Sequence, residues 1–452
     1  MHLRRTSAAL AACAALAGLG VASVASAAST KKIGGSVSIW AEWTGPEQTQ
    51  FEAVLKPFEK KTGITVNYAG KGSGTMDTTL EAAVKGGAPP DVALVPDPGT
   101  LDTLAGQHAI KPLAPVLGSE VKNYSPAWNK LASYKGKLYG VWFKGANKNT
   151  VYYNPALFNA AGIKSPPTTW QQMLSDANTL KASGTAPFSL CTDVGWPVAD
   201  LWQNLYLKIA GATKYNELAA HKIPWTDPSV TKTFDTLNEL LSQSSDLLGG
   251  TTGALASTYP ECADKVFPRP GTQPTAAMVI EADFVTTEVL ANSKNYSAGT
   301  KGKGGAACTA DPGKTPCYNT FPFPVPNGDQ RNEEAIQGAG DVAMLLHSTA
   351  QAKALVQYLA TPQSAAIWAK LGGFASPNKK VPLSAYPDPV AKADAKQLVN
   401  AKSFVFSLDD LQGSWEKSLW TDMLTDVKTP TAATVASLEK TMNQQATAAL
   451  GH

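Results

Sequence analysis

The sequence predicts an α/β protein folded as two lobes, each a mixed sheet flanked by helices. Strand-like and helix-like segments alternate between residues 36 and 107, the pattern of a parallel sheet with right-handed crossovers. The 452 residues exceed the roughly 250–300 that a single core supports, even after an N-terminal leader is set aside. A strand–helix–turn–helix unit, TVYYNPALFNAAGIKSPPTTW from Thr150 to Trp170, opens a new alternation where a second lobe would begin.

Residues 1–27 have the form of an export signal. Arg4 and Arg5 precede an apolar run from Ala8 to Val24, and Ala25-Ser26-Ala27 is an A-x-A cleavage site. Leu10-Ala11-Ala12-Cys13 also fits a lipobox, so a lipid anchor at Cys13 stays open. Few apolar residues precede Cys13 and the run continues past it, which favours ordinary secretion. Extracellular or periplasmic location is the expectation.

The first lobe should begin with Ser36–Trp40 as a strand and Pro46–Lys61 as a helix. Proline sits in the first turn of that helix, Phe51, Val54, Leu55 and Phe58 carry the period, and Gly63 ends it. Ile64–Tyr68 and Asp91–Val95 are further strands, and Thr75–Lys85 and Leu101–Gln107 further helices. Ligands bind outside the carboxyl ends of the strands in such sheets. The loops Trp40–Trp43, Gly70–Gly74 and Pro96–Gly99 should therefore share one mouth.

In the unit from Thr150 to Trp170, Val151–Tyr153 reads as a buried strand, and Asn154 with Pro155 as an N-cap and first helical residue. Gly162 is placed to end that helix in the left-handed conformation, and Trp170 opens another after the Pro166-Pro167 stop. This order, Y-Y-N-x-x-L-F-x-x-A-G-I followed by P-P-x-T-W, resembles the segment by which extracellular solute-binding proteins of bacterial ABC importers enter their second lobe. Sugar-binding members, of the maltose- and oligosaccharide-binding kind, are the nearest match. The resemblance implies a type II periplasmic-binding-protein fold with a hinge of two or three crossings.

By that resemblance residues 28–148 form the first part of lobe one and 149–322 most of lobe two. Residues 323–372 return to lobe one, and 373–452 form a helical part of lobe two. KLYGVWFKGANKNTVYYN is one crossing, and FPFPVPNGDQ, Phe321 to Gln330, is the return.

Composition narrows the function. Without Arg4 and Arg5 the formal charge falls from +3 to about +1, which argues against a nucleic-acid surface. Cys308 and Cys317 flank TADPGKTP, whose Pro312-Gly313 favours a local bridge and leaves Cys191 with Cys262; the other pairings stay open. No C-x-x-C or His-x-x-x-His spacing points to a metal, and no G-x-S-x-G elbow to a hydrolase. Neither metal nor cofactor is expected. Adjacent Asp409-Asp410 reads as a solvated face, since glycosidase carboxylates must converge across a cleft.

Candidate ligand contacts lie at the predicted mouth. Glu42 and Trp43, with Trp40 before them, pair a carboxylate with indoles, a combination suited to sugar hydroxyls and the apolar face of a pyranose. Each Trp has a core packing alternative. Gly72 and Ser73, in GKGSGT, offer backbone amides, though a tight turn is the alternative. Asp97 has the same address.

By the resemblance Trp196, in GWPVAD, is a stacking platform, and Glu281, Asp283 and Phe284 stand where relatives carry a glycine and an aromatic. Ala282 replaces that glycine and Phe284 the commoner Trp. Gly340 and Asp341, in GAGDVA, would approach from a lobe-one loop, and Trp415 would cover the mouth; Trp420 is equally suited to packing between helices. Trp170 and Trp368 read as core.

The expected function is capture of a carbohydrate, an oligosaccharide by the resemblance, by a monomer that delivers it to an ABC permease without catalysis. A peptide or polyamine in the same fold, or a secreted glycoside hydrolase, are the alternatives.

Overall fold

The computed structural model describes residues 32–294, 296–298, 317–326, 332, 334–401 and 403–450. The leader with Cys13, and Cys308 of the expected local bridge, lie outside the described residues. The strands in chain order are β1 (Ser36–Ala41), β2 (Thr65–Gly70), β3 (Val92–Val95), β4 (Ser133–Tyr134), β5 (Lys137–Leu138) and β6 (Gly140–Asn147). They continue with β7 (Thr150–Tyr153), β8 (Ala186–Phe188), β9 (Ala276–Ile280), β10 (Ser297–Ala298), β11 (Cys317–Pro322), β12 (Ala335–Leu345) and β13 (Ser403–Phe406).

Two mixed sheets result, and they give the type II arrangement. The first runs β13-β12-β3-β1-β2, with β6 also paired to β12. Within it β1 is parallel to β2 and β3, while β12 is antiparallel to β3 and β6. The second runs β10-β11-β7-β9-β8. Helices Gly45–Thr62, Met76–Lys85 and Pro98–Gly106 follow β1, β2 and β3, as the alternation requires.

The local signals act where the sequence places them. Asn154 accepts from the Ala156 amide at 3.1 Å and Pro155 begins its helix. Gly162 has φ of 81°. Thr169 caps the helix Trp170–Ala182 through the Gln172 amide at 3.2 Å. Asp91 sits just before β3 and ties it to β1 by accepting the Ser38 amide and hydroxyl, each at 2.8 Å.

Each lobe has its own aromatic core. Trp43 packs on Phe51 and on Trp368, both at 4.8 Å between ring centroids. In the second lobe the helix Trp196–Ala219 is buried over nearly its whole first half, and Trp202 stacks on Tyr206 and Trp225 at 5.0 and 5.5 Å. The buried polar residues of this helix are partnered, Asp200 with Lys148 and Gln203 with Asp409, which allows it to sit at the centre of the lobe. Cys191 and Cys262 form a disulfide with Cα atoms 5.6 Å apart, fixing the chain before that helix to the helix Tyr259–Val266.

The C-terminal division differs from expectation. Residues 373–406 stay with the first sheet: Gly145 bonds to Ala375, and β13 supplies a parallel edge strand beside Ala335–Gly338. The short alternating run SFVF is a strand signal that a helical reading of this region passes over. The C-terminal segment first touches the second core at Val405 of β13 and then joins it through Leu408, Trp415, Leu419 and Trp420. Among the described residues three segments therefore pass between the lobes: Lys148-Asn149, the stretch from β11 to β12, and residues 407–415. The second includes the predicted return Phe321–Gln330, whose residues 327–330 lie outside the described residues.

Candidate ligand-binding cleft

A cleft of about 340 Å³ lies between the two sheets. Its first wall comes from the carboxyl ends of β1, β2 and β3, which deliver Glu42, Ser73 and Pro96. The middle of that wall is Lys144 of β6 opposite Asp341 of β12, where the register shifts after Asp341. Gly340 allows this close pairing, because a Cβ there would stand 2.5 Å from the Lys144 carbonyl oxygen.

The second wall is aromatic. Trp196, Tyr259 and Phe284 line it and touch one another, with centroids 5.9 Å apart for Trp196–Tyr259, 6.1 Å for Trp196–Phe284 and 4.9 Å for Tyr259–Phe284. Asp410, Glu416 and Trp420 complete the lining from the C-terminal segment.

Trp196 begins its helix directly after Gly195, which has φ of 90°. A Cβ on Gly195 would fall 2.7 Å from the Trp420 carbonyl oxygen. Gly195→Ala is expected to lower stability by about 2–3 kcal/mol in thermal unfolding, combining left-handed strain with the clash. A loss under about 0.5 kcal/mol would show that the two segments separate freely.

Burial dominates the electrostatics. Glu42 is held well above the usual carboxylate range by burial and by the nearby Asp341 and Glu47, against the pull of Lys144. Asp341 is raised to about 7 by burial, again opposed by Lys144. Burial also raises Asp77, Asp410 and Glu416. Burial works against the charge on Lys144, but Glu47, to which it donates, and Asp341 outweigh it and raise its pKa. The cleft thus holds oxygen acceptors and flat apolar faces at closest quarters, with both lysines already paired, Lys148 to Asp200 at 2.7 Å.

Six of the predicted contacts meet in this cleft: Glu42, Ser73, Trp196, Phe284, Gly340 and Asp341. The others have different places. Trp43 is 1% exposed in the first core, and Trp40 is half-buried beneath Lys71, 3.7 Å from its ring. Gly72 is a positive-φ turn residue beside the lining rather than in it. Asp97 uses both oxygens as an N-cap, toward the Gly99 amide at 2.6 Å and Thr100 Oγ1 at 2.7 Å.

Glu281 is buried next to Asp200, outside the lining. Asp283 accepts from the Asn147 amide at the first crossing. Trp415 packs edge-on against Trp225 at 5.4 Å and donates to Gln445, so it serves the helical core. Trp420, which the sequence leaves between two roles, faces the cleft. GAGDVA is not a loop but the middle of β12, because its small residues admit β6 at close range. Asp409-Asp410 is buried, not solvated: Asp409 accepts from Gln203 and from Trp420 Nε1, both at 2.8 Å.

Sequence reading passes over Glu47, Asp77, Lys144, Lys148, Tyr259 and Glu416. One signal was available: Lys144 and Lys148 are charges set in the apolar run GVWFKGANK, and a charge within a buried strand needs a partner.

A family model for bacterial extracellular solute-binding proteins matches residues 43–366. The osmoprotective compounds-binding protein of Synechocystis sp. is 28% identical over 83% of this chain and 84% of its own length. The alpha-glucosides-binding periplasmic protein of Rhizobium meliloti is 25% identical over 89% and 86%. Among solved structures, a bacterial solute receptor with a preference for β-D-galactopyranose has a TM-score of 0.77 at 21% identity, covering 92% of this chain and 99% of its own. A chitin oligosaccharide binding protein has a TM-score of 0.73 at 21% identity, with the same coverage. Among the described residues no helix is long and apolar enough to cross a membrane. The strand order, the cleft at the carboxyl ends of β1 to β3 and these matches together place this chain in the bacterial extracellular solute-binding protein family.

Proposed function

We propose that this chain captures a carbohydrate between its lobes outside the cell membrane and presents it to an ABC permease, acting as a binder and not as a hydrolase. The observation that carries this reading is the facing of Glu42 and Asp341 by the Trp196–Tyr259–Phe284 wall. Carboxylates order the hydroxyls of a sugar while rings cover its apolar face. The alpha-glucosides-binding relative supports the same class. A volume of about 340 Å³ lies near the lower end of small-ligand pockets and suits about one or two sugar rings. Glu42, Ser73, Trp196, Phe284, Gly340 and Asp341 are the proposed contacts, and Lys144, Tyr259 and Trp420 join them.

Thermal unfolding against mono- and oligosaccharides, with peptides and polyamines as controls, tests the class. A ligand bound only by the folded state adds about 2.7 kcal/mol at a hundredfold excess over its Kd. A response to controls alone would overturn the carbohydrate reading, and product formation would overturn the binding-only one. Trp196→Ala is expected to weaken the responding sugar by about 10–100-fold in calorimetry, as loss of a central aromatic anchor does. A change under about twofold would remove Trp196 from the contacts.

A further inference from the structure

Carboxylates outnumber cations in the cleft beyond what a neutral sugar needs. Among the described residues eight lining side chains are acidic and two are lysines, and both lysines are committed, Lys144 to Glu47 and Lys148 to Asp200 behind the wall. The excess gathers at one end. Oxygens of Asp77, Asp97 and Glu416 lie within 4.8 Å of one another, as do those of Asp409, Asp410 and Glu416.

The partners of this group account for only part of its charge. Asp97 is used as a helix cap and Asp409 by Gln203 and Trp420. Lys417 Nζ lies 2.9 Å from Glu416 and 3.8 Å from Asp77, over the Trp420 ring at 3.6 Å. Asp77 and Asp410, each 5% exposed, line the cleft, and Asp77 Oδ1 and Asp410 Oδ2 have no hydrogen-bond partner among the described residues.

Burial favours the protonated form of both acids; a hydroxyl would satisfy such an oxygen without supplying the positive charge that favours the ionised form. A bare metal ion fits poorly, because the Lys417 ammonium already stands against Glu416, the residue common to both groups, and Asp97 caps its helix with both oxygens. A ligand ammonium supplies both donors and charge.

Building on the carbohydrate reading, we infer that the preferred ligand is an amine-bearing sugar, its ammonium seated by the unpartnered oxygens of Asp77 and Asp410 and its ring near Trp420.

The test is calorimetry near pH 7 with matched triplets in the glucose, galactose and mannose series: the 2-amino sugar, its N-acetyl form and the parent sugar. Spermidine and calcium chloride are run alone. The amino sugar of one series should bind at least about tenfold tighter than its two neutral counterparts, about 1.4 kcal/mol. Added salt should reduce that preference. Asp410→Asn and Asp77→Asn should each bring the ratio of amino-sugar to neutral-sugar affinity below about threefold, with the folded circular dichroism spectrum kept.

Equal or tighter binding of a neutral sugar overturns the inference and leaves the carbohydrate reading intact. Binding of spermidine with no sugar, or no response to any sugar, overturns both. A calcium response that depends on Asp77 and Asp410 assigns the cluster to a metal instead.

Discussion

Lys148→Met is expected to cost about 3–5 kcal/mol of stability, the range for removing one partner of a buried ion pair. Lys148 sits in the first crossing, between β6 and β7, 8% exposed. Its ammonium donates to Asp200 at 2.8 Å, and its backbone bonds to Gln337 of β12 and to Asn204 of the helix Trp196–Ala219. Asp200 also accepts from Gln337 Nε2 at 2.8 Å and Ser407 Oγ at 3.2 Å, so a single carboxylate gathers groups from all three crossings or their flanks. Already raised to about 6 by burial despite Lys148, Asp200 would be left without its cation.

Denaturant unfolding reads the loss. A double variant, Lys148→Met with Asp200→Leu, should be less destabilised than Lys148→Met alone, because it buries no charge. A single-variant loss under about 1 kcal/mol would mean that water or a proton taken up by Asp200 compensates, and that the pair does not fasten the crossings.

The sequence reveals elements whose causes are local. Asn154-Pro155, Thr169 and the Phe51-Val54-Leu55-Phe58 period each act within one or two turns, and the structure places their helices accordingly. The mouth is legible for the same reason, since it follows from where β1, β2 and β3 end. What sequence hides depends on distant partners. Trp43 and Trp196 both precede or open helices beside a predicted mouth, yet Trp368, 325 positions from Trp43, draws the former into the core. Trp415 leaves the expected mouth for Trp225, and Trp420, suited by sequence to either place, lines the cleft with its indole N–H on Asp409. β13 is signalled by SFVF, but a run of four residues set among helices is short enough to pass over, and its order depends on pairing with β12. The acids of the cleft escape notice singly; only the fold brings Asp77 from one lobe beside Glu416 from the other segment.

Acidification is expected to stabilise the unliganded protein between about pH 7 and about pH 4, the reverse of ordinary acid denaturation. An acid whose pKa is higher folded than unfolded holds its proton more tightly in the folded state, so stability falls as pH rises between the two values. Asp341 rises from 3.8 to about 7, and burial likewise raises Asp283 and Glu288 to about 7. Below about pH 4 both states are protonated and the penalty is absent; above about pH 7 it is complete.

Asp341→Asn removes one such penalty. At about 1.4 kcal/mol per unit the shift sets a ceiling of roughly 4 kcal/mol, and relaxation around Lys144 lowers the expected gain to about 1–3 kcal/mol. The gain should be seen above pH 7 and vanish near pH 4. The same variant should bind the responding sugar less well, because Asp341 Oδ1 is buried without a hydrogen-bond partner among the described residues and is the acceptor a ligand hydroxyl would meet. Wild-type affinity should then rise from about pH 5 to about pH 7 as ligand draws Asp341 into its ionised form. Stability gained and affinity lost together, with a common midpoint near neutrality, is the behaviour of a carboxylate held ready for a ligand. A variant no more stable at high pH, or one that binds sugar unchanged, would assign Asp341 to the framework alone.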